Sequence, residues 1–412
     1  VRLSQDLNFV TPGLKFKGTV SFDYQGVFNS QRSWNPSRYN ATGRDDNGNL
    51  VFNKTYAGTN AFGEPTESNS ANRKIYIESS LNYDRTFGKH TVGGMLLYMQ
   101  KDTQYHDNAL AYRNQGVVGR ASYSYDGRYF IESNFGYTGS ETFAKDKRFG
   151  FFPSVGIGYY ISNEKFYPES LSKVMNKIKL RASIGRTGND DTGGDRFLYR
   201  ATFKTDDYTF AQGIGSTGSS NSLGTGIHDV LFKNTDIHWE IEDKRDIGLD
   251  LGFFNNQIEI TADYFNNRRH DILMQRNTVP QTSGFWAAPW ENYGIVTNKG
   301  FDGSMDVRHK IGKVQVTWRG TLTYAHNTIT EYDEIEPEYP WMKVTGHPID
   351  DRGLYIVDRL YTDDDFNATK NSNGTYSYQL KDGLPVPTMS GLLGPGDLKY
   401  KDLNNDNIID RS

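Results

Sequence analysis

Ile258 to Tyr264 reads Ile-Glu-Ile-Thr-Ala-Asp-Tyr, a strict alternation of apolar and polar side chains. Successive side chains of a β-strand point to opposite faces, so this period makes one greasy face and one wet face. The same two-residue beat recurs along most of the chain. Leu14, Phe16, Gly18, Val20, Phe22 and Tyr24 alternate with Lys15, Lys17, Thr19, Ser21, Asp23 and Gln25. Ile75, Ile77, Leu81 and Tyr83 oppose Glu78, Ser80, Asn82 and Asp84. Ile178, Leu180, Ala182 and Ile184 oppose Lys179, Arg181 and Ser183. Ile247, Leu249, Leu251 and Phe253 oppose Asp246 and Asp250, and Val314, Val316, Trp318, Leu322 and Tyr324 oppose Gln315, Thr317, Arg319 and Thr321. A continuous row of lysine, arginine and carboxylate wants water on its side. About a dozen such strands predict an all-β protein: an antiparallel transmembrane β-barrel with lipid outside and water inside.

The connections alternate between short and long. Tight links fall at Thr11-Pro12-Gly13, Gly88-Lys89, Asp126-Gly127, Asn255-Asn256 and Ile311-Gly312. Glycine, Asp and Asn accept the positive φ of primed hairpin turns. Long polar links are expected near 31–73, 104–113, 140–150, 188–237, 274–294 and beyond 328, with a medium link at 163–176 on the short-turn side. Within 188–237 the expectation is a local hairpin arm at Phe197 to Phe203, and Phe166 to Val174 reads as a short helical turn. Outer-membrane barrels keep short turns on the periplasmic side and long loops outside. The expected organisation is 1–328 as partial barrel with extracellular loops and 329–412 as a long, Asp-rich extracellular region.

Composition agrees. The 412 residues hold 50 acidic and 46 basic side chains, for a net charge of −4, and no cysteine. Nucleic-acid binding asks for a clustered basic surface and is not expected. Without Cys there are no disulfides, thiolate nucleophiles or thiolate metal sites. The apolar fraction is 36 % although aromatics reach 14 %, below the roughly 45–50 % of soluble globules. A barrel with a wet lumen needs less grease, having no packed interior to fill. A secreted or surface carbohydrate-binding β-protein without a channel is the alternative that composition leaves open. No stretch approaches the ~18 apolar residues of a transmembrane helix, and the true start is expected upstream of Val1.

Several stretches, in order along the chain, carry a family resemblance. They are YRNQGVVGRASYSYDGRYFIESNFGYTGSETFAKDKRFGFFPSVGIGYYISNE (112–164), KIKLRASIGRTGND (177–190), WEIEDKRDIGLDLGFFNNQIEITADYFNNRRHDIL (239–273), VPQTSGF (279–285), NYGIVTNKGFD (292–302) and PGDLKYKDLNNDNIID (395–410). Together they resemble the SusC/RagA-like TonB-dependent transporters of Bacteroidetes outer membranes. The resemblance implies a plugged barrel of the 22-stranded type. It implies residence in the cell outer membrane and import of oligosaccharides or peptides. It implies energisation by TonB through a plug, and a SusD-like surface lipoprotein as lid. The plug and the final strands of such a barrel are not expected within this chain, which ends Arg411-Ser412 rather than in an aromatic residue.

Local chemistry is sparse. Asp402, Asn404, Asp406, Ile408 and Asp410 occupy positions 1, 3, 5, 7 and 9 of an EF-hand-type loop, whose hard oxygens suit Ca²⁺. Asn407 stands at position 6, where glycine is usual, and Asn tolerates the left-handed conformation. No cofactor is required by the sequence, and Ca²⁺ is the one candidate. The histidines form no H-E-x-x-H cluster. Asp246, Asp250, Glu259 and Asp263 share a face, and paired acids can serve a glycosidase, but a wet lumen explains them better, so no enzyme is expected. Trp34, Tyr39, Trp286, Trp290 and Trp341 fall in expected extracellular segments. Their rings could stack on sugar or anchor peptide, or pack loops and mark the membrane interface. Lys179, Arg181, Arg319 and Arg120 are expected to pair with acids or with the plug, each pair weak in a solvated interior.

Overall fold

A computed structural model describes residues 1–59, 61–106, 110–214, 220–285, 287–351, 353–371, 376–388 and 393–410; over 206–214, 220–226 and at 281 the backbone alone is described. Twelve strands form one antiparallel sheet. They are β1 Arg2–Asp6, β2 Leu14–Gln31, β3 Thr66–Phe87, β4 His90–Gln104, β5 Tyr112–Tyr125, β6 Tyr129–Ser140, β7 Phe149–Tyr160, β8 Met175–Asn189, β9 Glu240–Phe253, β10 Ile258–Gln275, β11 Trp290–Ile311 and β12 Val314–Glu331. Each strand pairs with the next in chain order, so the sheet is a pure meander. The chain divides into two compact units: Val1–Phe87, Thr91–Ala121 and Gly136–Glu141 form one; Gly88–His90, Ser122–Phe135 and Thr142–Ser412 form the other.

The register follows the sequence pattern. In the first unit Leu14 lies across from Tyr83, Phe16 from Leu81, Val20 from Ile77 and Phe22 from Ile75, so the apolar sets of β2 and β3 share one face. In the second unit, one apolar row runs Ala182, Ile247, Tyr264, Phe301, Tyr324, and a second runs Leu180, Leu249, Ala262, Gly303, Leu322. A slip of one residue would turn every one of these side chains to the wet face.

That apolar face is uncovered. Ile247 is 64 % exposed, Leu322 65 % and Trp318 55 %. Val20, Phe22, Ile131, Ile157 and Ile184 are likewise exposed. A patch this extended is not tolerated in water and needs another apolar phase. Among the described residues no helix is long and apolar enough to cross a membrane. The strands are therefore the elements that meet lipid.

The short turns fall where the sequence places them. Asp126 and Gly127 both have positive φ (52° and 63°), the requirement of a type I′ turn. Gly13 has φ 92°, and a Cβ there would lie 2.2 Å from the Asp84 carbonyl oxygen, so only glycine fits. The helix Glu169–Ser172 sits inside the expected helical turn.

The expected hairpin arm at Phe197 to Phe203 is corrected. Residues 198–200 form a turn, with Phe197 at φ 60°, and the hairpin lies further on, Thr202–Ile214 against Ser220–Leu231. Leu198 instead joins Phe143, Ile237 and Trp239 in a buried cluster, which pins the segment before any strand can start. Residues beyond β12 carry short paired segments. Val357–Leu360 pairs with Leu398–Tyr400, Phe366–Lys370 with Tyr376–Leu380, and Val386–Pro387 runs parallel to Ile408–Ile409.

Candidate functional site: a polar cleft on the wet face

The face opposite the apolar rows is polar and internally bonded. Arg181 ties β8 to β9 and to β10 beyond it: its guanidinium donates to Asp250 Oδ1 at 3.0 Å and to Asp263 Oδ2 at 3.1 Å. Arg319 Nε donates to Asp306 at 2.7 Å, and Arg308 lies 3.7 Å from Glu259. Of the acids that could suggest a glycosidase pair, Asp250, Asp263 and Glu259 thus serve as cross-strand clamps. Lys179 departs from the expected ion pairing. Its ammonium lies over the Phe130 ring at 5.2 Å and the Tyr160 ring at 5.8 Å, a cation–π arrangement that alternation cannot show.

Toward the long-loop end the same face opens into a cleft of about 490 Å³. Two neighbouring rungs of the ladder build it. One runs Lys244, Asn267, Asn298, Asn327; the other runs Thr187, Glu242, Arg269, Val296, Ile329. Glu240 and Ile349 complete the wall. Glu240 is buried and ion-paired to Arg269, while Asn298 Oδ1 is buried with no hydrogen-bond partner. A buried acceptor without a partner costs about 1–3 kcal/mol, which a ligand hydroxyl or amide placed there would relieve. Amides, acids and one arginine around a small apolar floor suit hydroxyl-rich or peptide-like ligands. No local pattern gives the register that gathers these side chains; the run of inward Asn on β10, β11 and β12 is the signal that could have found them.

The loops above are held by charge. Arg276 donates to Asp333 at 2.8 Å and to Glu291 at 2.5 Å, and Thr278 bonds Asp333 through both its N–H and its hydroxyl. Burial of Asp333 opposes its ionisation, but the Thr278 and Arg276 bonds win and hold the carboxyl below the ordinary range. Glu334 is likewise lowered against its burial, accepting from the Val344 and Thr345 N–H groups. Asp365 is lowered further, by Arg359 first and then by Thr362.

Four of the five aromatic candidates are described, and each makes its own local contacts. Trp34 is exposed, donates its indole N–H to the Thr59 carbonyl and lies 6.0 Å from Phe62. Tyr39 is exposed on a hairpin of Arg38–Arg44 with Leu50–Tyr56, with Lys54 over its ring. Trp341 stacks on Tyr339 at 4.9 Å and 13°. Trp290 starts β11 and packs against the cluster of Phe143, Leu198, Ile237 and Trp239. Trp286 lies outside the described residues.

At 402–410 the loop is shaped by its own side chains. Asp402 accepts from the N–H groups of Asn405 (2.7 Å) and Asn407 (2.8 Å), and Asp406 accepts from Ile408 N–H at 2.7 Å. Asn404 Nδ2 donates to Asp406 at 3.1 Å, and the Asp410 end follows the parallel pairing of Ile408–Ile409. Asn407, at φ 64°, makes the sharp turn expected at position 6. Among the described residues no group of three or more His, Cys, Asp or Glu side chains converges as a metal site.

An antiparallel meander with an uncovered apolar face, a charged inner face and short turns at one end defines an outer-membrane β-barrel protein. Comparison with known proteins makes this specific. The family described as TonB dependent receptor-like, beta-barrel matches residues 3–410, and the chain belongs to it. It is 32 % identical over 311 residues to the TonB-dependent receptor SusC of Bacteroides thetaiotaomicron, covering 71 % of this chain and 28 % of that protein. It is 24 % identical over 456 residues to the TonB-dependent receptor P39 of Formosa agariphila, covering 97 % of this chain and 40 % of that protein. In fold it is similar to the solved RagAB peptide transporter, with a TM-score of 0.62 at 17 % identity, over 89 % of this chain and 41 % of that one. The chain therefore spans well under half the length of these relatives. The expectation of a SusC/RagA-like outer-membrane barrel holds.

Proposed function

We propose that this chain forms part of the barrel wall of an importer that draws oligosaccharides or peptides across the outer membrane. TonB would supply the work through a plug, and a SusD-like surface lipoprotein would cover the loops. The barrel is a frame and a binding surface rather than a catalyst. The observation that carries this reading is the inward cleft, where Asn298 holds a buried, unpartnered acceptor beside Asn267, Asn327, Glu242 and the Glu240–Arg269 pair. Family membership and a fold similar to that of a peptide transporter support the transporter reading.

The test is calorimetry on the full-length protein with a panel of oligosaccharides and of short peptides. One class should bind, and Asn298→Leu should weaken it by about tenfold, the cost of one buried hydrogen bond. Binding of neither class, or binding indifferent to Asn298→Leu and Glu242→Gln alike, overturns the cleft as substrate site. Trp34, Tyr39, Trp286, Trp290 and Trp341 are proposed as loop anchors only, with Trp290 acting through the loop core.

Ca²⁺ in the 402–410 loop is a separate proposal. Its support is the pre-formed turn, with Asp402, Asn404, Asp406, the Ile408 carbonyl and Asp410 spaced as hard-oxygen ligands. A calorimetric titration of the full-length protein with Ca²⁺ should show heat that Asp402→Ala removes; no heat ends the idea.

A further inference from the structure

A second opening, of about 550 Å³, is lined on the apolar face by Asn266, Thr297, Lys299, His326 and Thr328, with Thr345 and Gly346 also in its wall; Arg245 and Arg268 lie on the strands beside it. It lies one rung beyond an aromatic row toward the long-loop end. That row is Tyr264, Phe301 and Tyr324, side by side in register, with Phe301 and Tyr324 stacked at 5.5 Å. Aromatic rings concentrate where hydrocarbon gives way to headgroups, so the row marks that depth.

The next rung on the same face runs Arg245, Asn266, Lys299, His326. The rung after it runs Asp243, Arg268, Thr297, Thr328. Arg245, Arg268 and Lys299 are exposed, and among the described residues none of the three has an acid partner. The one carboxylate in these two rungs, Asp243, is already bonded to Arg186 at 2.8 Å and lies 3.3 Å from His270. Neighbouring strands are about 4.8 Å apart, so the three cations lie within roughly 10 Å of one another along the rungs. At headgroup depth such cations cost little by themselves, and the anions within their reach are lipid phosphates.

We infer that this patch binds the phosphate-bearing headgroup of an outer-leaflet lipid. The apolar rows would take the acyl chains. Arg245, Arg268 and Lys299 would take the phosphate oxygens, arginine through its two parallel N–H donors. Asn266, Thr297 and Thr328 offer hydrogen bonds to the sugar or glycerol portion of the headgroup. Continuity with the exposed apolar face commits the patch to a lipid: an acidic soluble partner would gain nothing from Ile247 and Leu322 below it.

The test uses the full-length protein, stripped of lipid in detergent and offered phosphorylated lipid A, dephosphorylated lipid A or inorganic phosphate alone, with bound mass read by native mass spectrometry. Phosphorylated lipid A should be retained. The triple variant Arg245→Gln, Arg268→Gln, Lys299→Gln should lose occupancy by roughly tenfold or more. The charge-keeping set Arg245→Lys, Arg268→Lys, Lys299→Arg should retain it. If the triple variant does not insert, Lys299→Gln alone carries the same reading at smaller size. Equal retention of phosphorylated and dephosphorylated lipid, or retention unchanged in the Gln variants, overturns the inference. So does displacement by millimolar inorganic phosphate without any acyl chain, which would make the patch a site for the free ion.

Discussion

Two apolar regions of this chain obey opposite rules. On β8 to β12, Ile247 and Leu322 are nearly two-thirds exposed. In the loop cluster, Phe143 is 2 % exposed and Trp239 6 %. Both regions are greasy, but each meets a different solvent. The strands satisfy their backbone groups within the sheet and leave their side chains to lipid. The loops stand in water and have to build a core of their own. Trp239 shows this, with Phe143 at 5.4 Å, Phe152 edge-on at 5.2 Å and its indole N–H on the Arg148 carbonyl. Part of the loop architecture therefore behaves like a small soluble domain carried on a membrane wall.

The sharpest way to break this contrast is Trp239→Ala. A cavity in the loop core should cost about 3–5 kcal/mol, read as faster proteolysis and hydrogen exchange around 140–150 and 231–240. Heat-modifiable migration of the barrel should not change. If both change together, the two regions are one cooperative unit. Leu322→Arg is the converse. On the lipid face, one rung from the aromatic row toward mid-depth, it should cost about 2–4 kcal/mol in a urea titration of the vesicle-folded protein, while Thr261→Arg on the wet face should cost far less. Equal costs would mean the faces are misassigned.

A smaller effect is expected from Asp333→Asn. It leaves Arg276 with Glu291 alone and weakens the Thr278 bonds, for about 1–3 kcal/mol local to the 276–290 loop. Hydrogen exchange of that loop measures it. Acid should act the same way and more gently. Asp333, Glu334 and Asp365 all have folded-state pKa values below the ordinary range. Their stabilisation is therefore present above the unfolded carboxylate value near 4 and is lost as pH falls through the lower folded values. Loop exchange should rise below about pH 4 with the strands still protected; exchange unchanged down to pH 2 would deny these anchors any role.

The legible part of the molecule was its strands. Their number, their faces and the turns at Asp126-Gly127 and Asn255-Asn256 follow from alternation and positive-φ residues, because both are local. The loops were legible only in outline. Phe197 to Phe203 reads as a strand by composition, yet Leu198 is taken by the distant Phe143 and Trp239, and the hairpin forms after it. Trp290 reads as a loop aromatic and is a packing residue for the same reason. Lys179 reads as an ion-pair partner, but the rings of Phe130 and Tyr160 reach it first.

Sequence alone determined the period, and with it a sheet having one face for hydrocarbon and one for water, since side-chain direction along a strand depends on nothing beyond the strand. Tertiary structure alone decided which residues from different strands share a rung. That choice placed Asn298 beside Asn267 and Asn327 in the cleft, locked Arg181 between Asp250 and Asp263, and set Arg245 and Lys299 on either side of Asn266 in one rung with Arg268 in the next. Such neighbours are tens of residues apart in the chain, and only the hydrogen-bonded register brings them within reach.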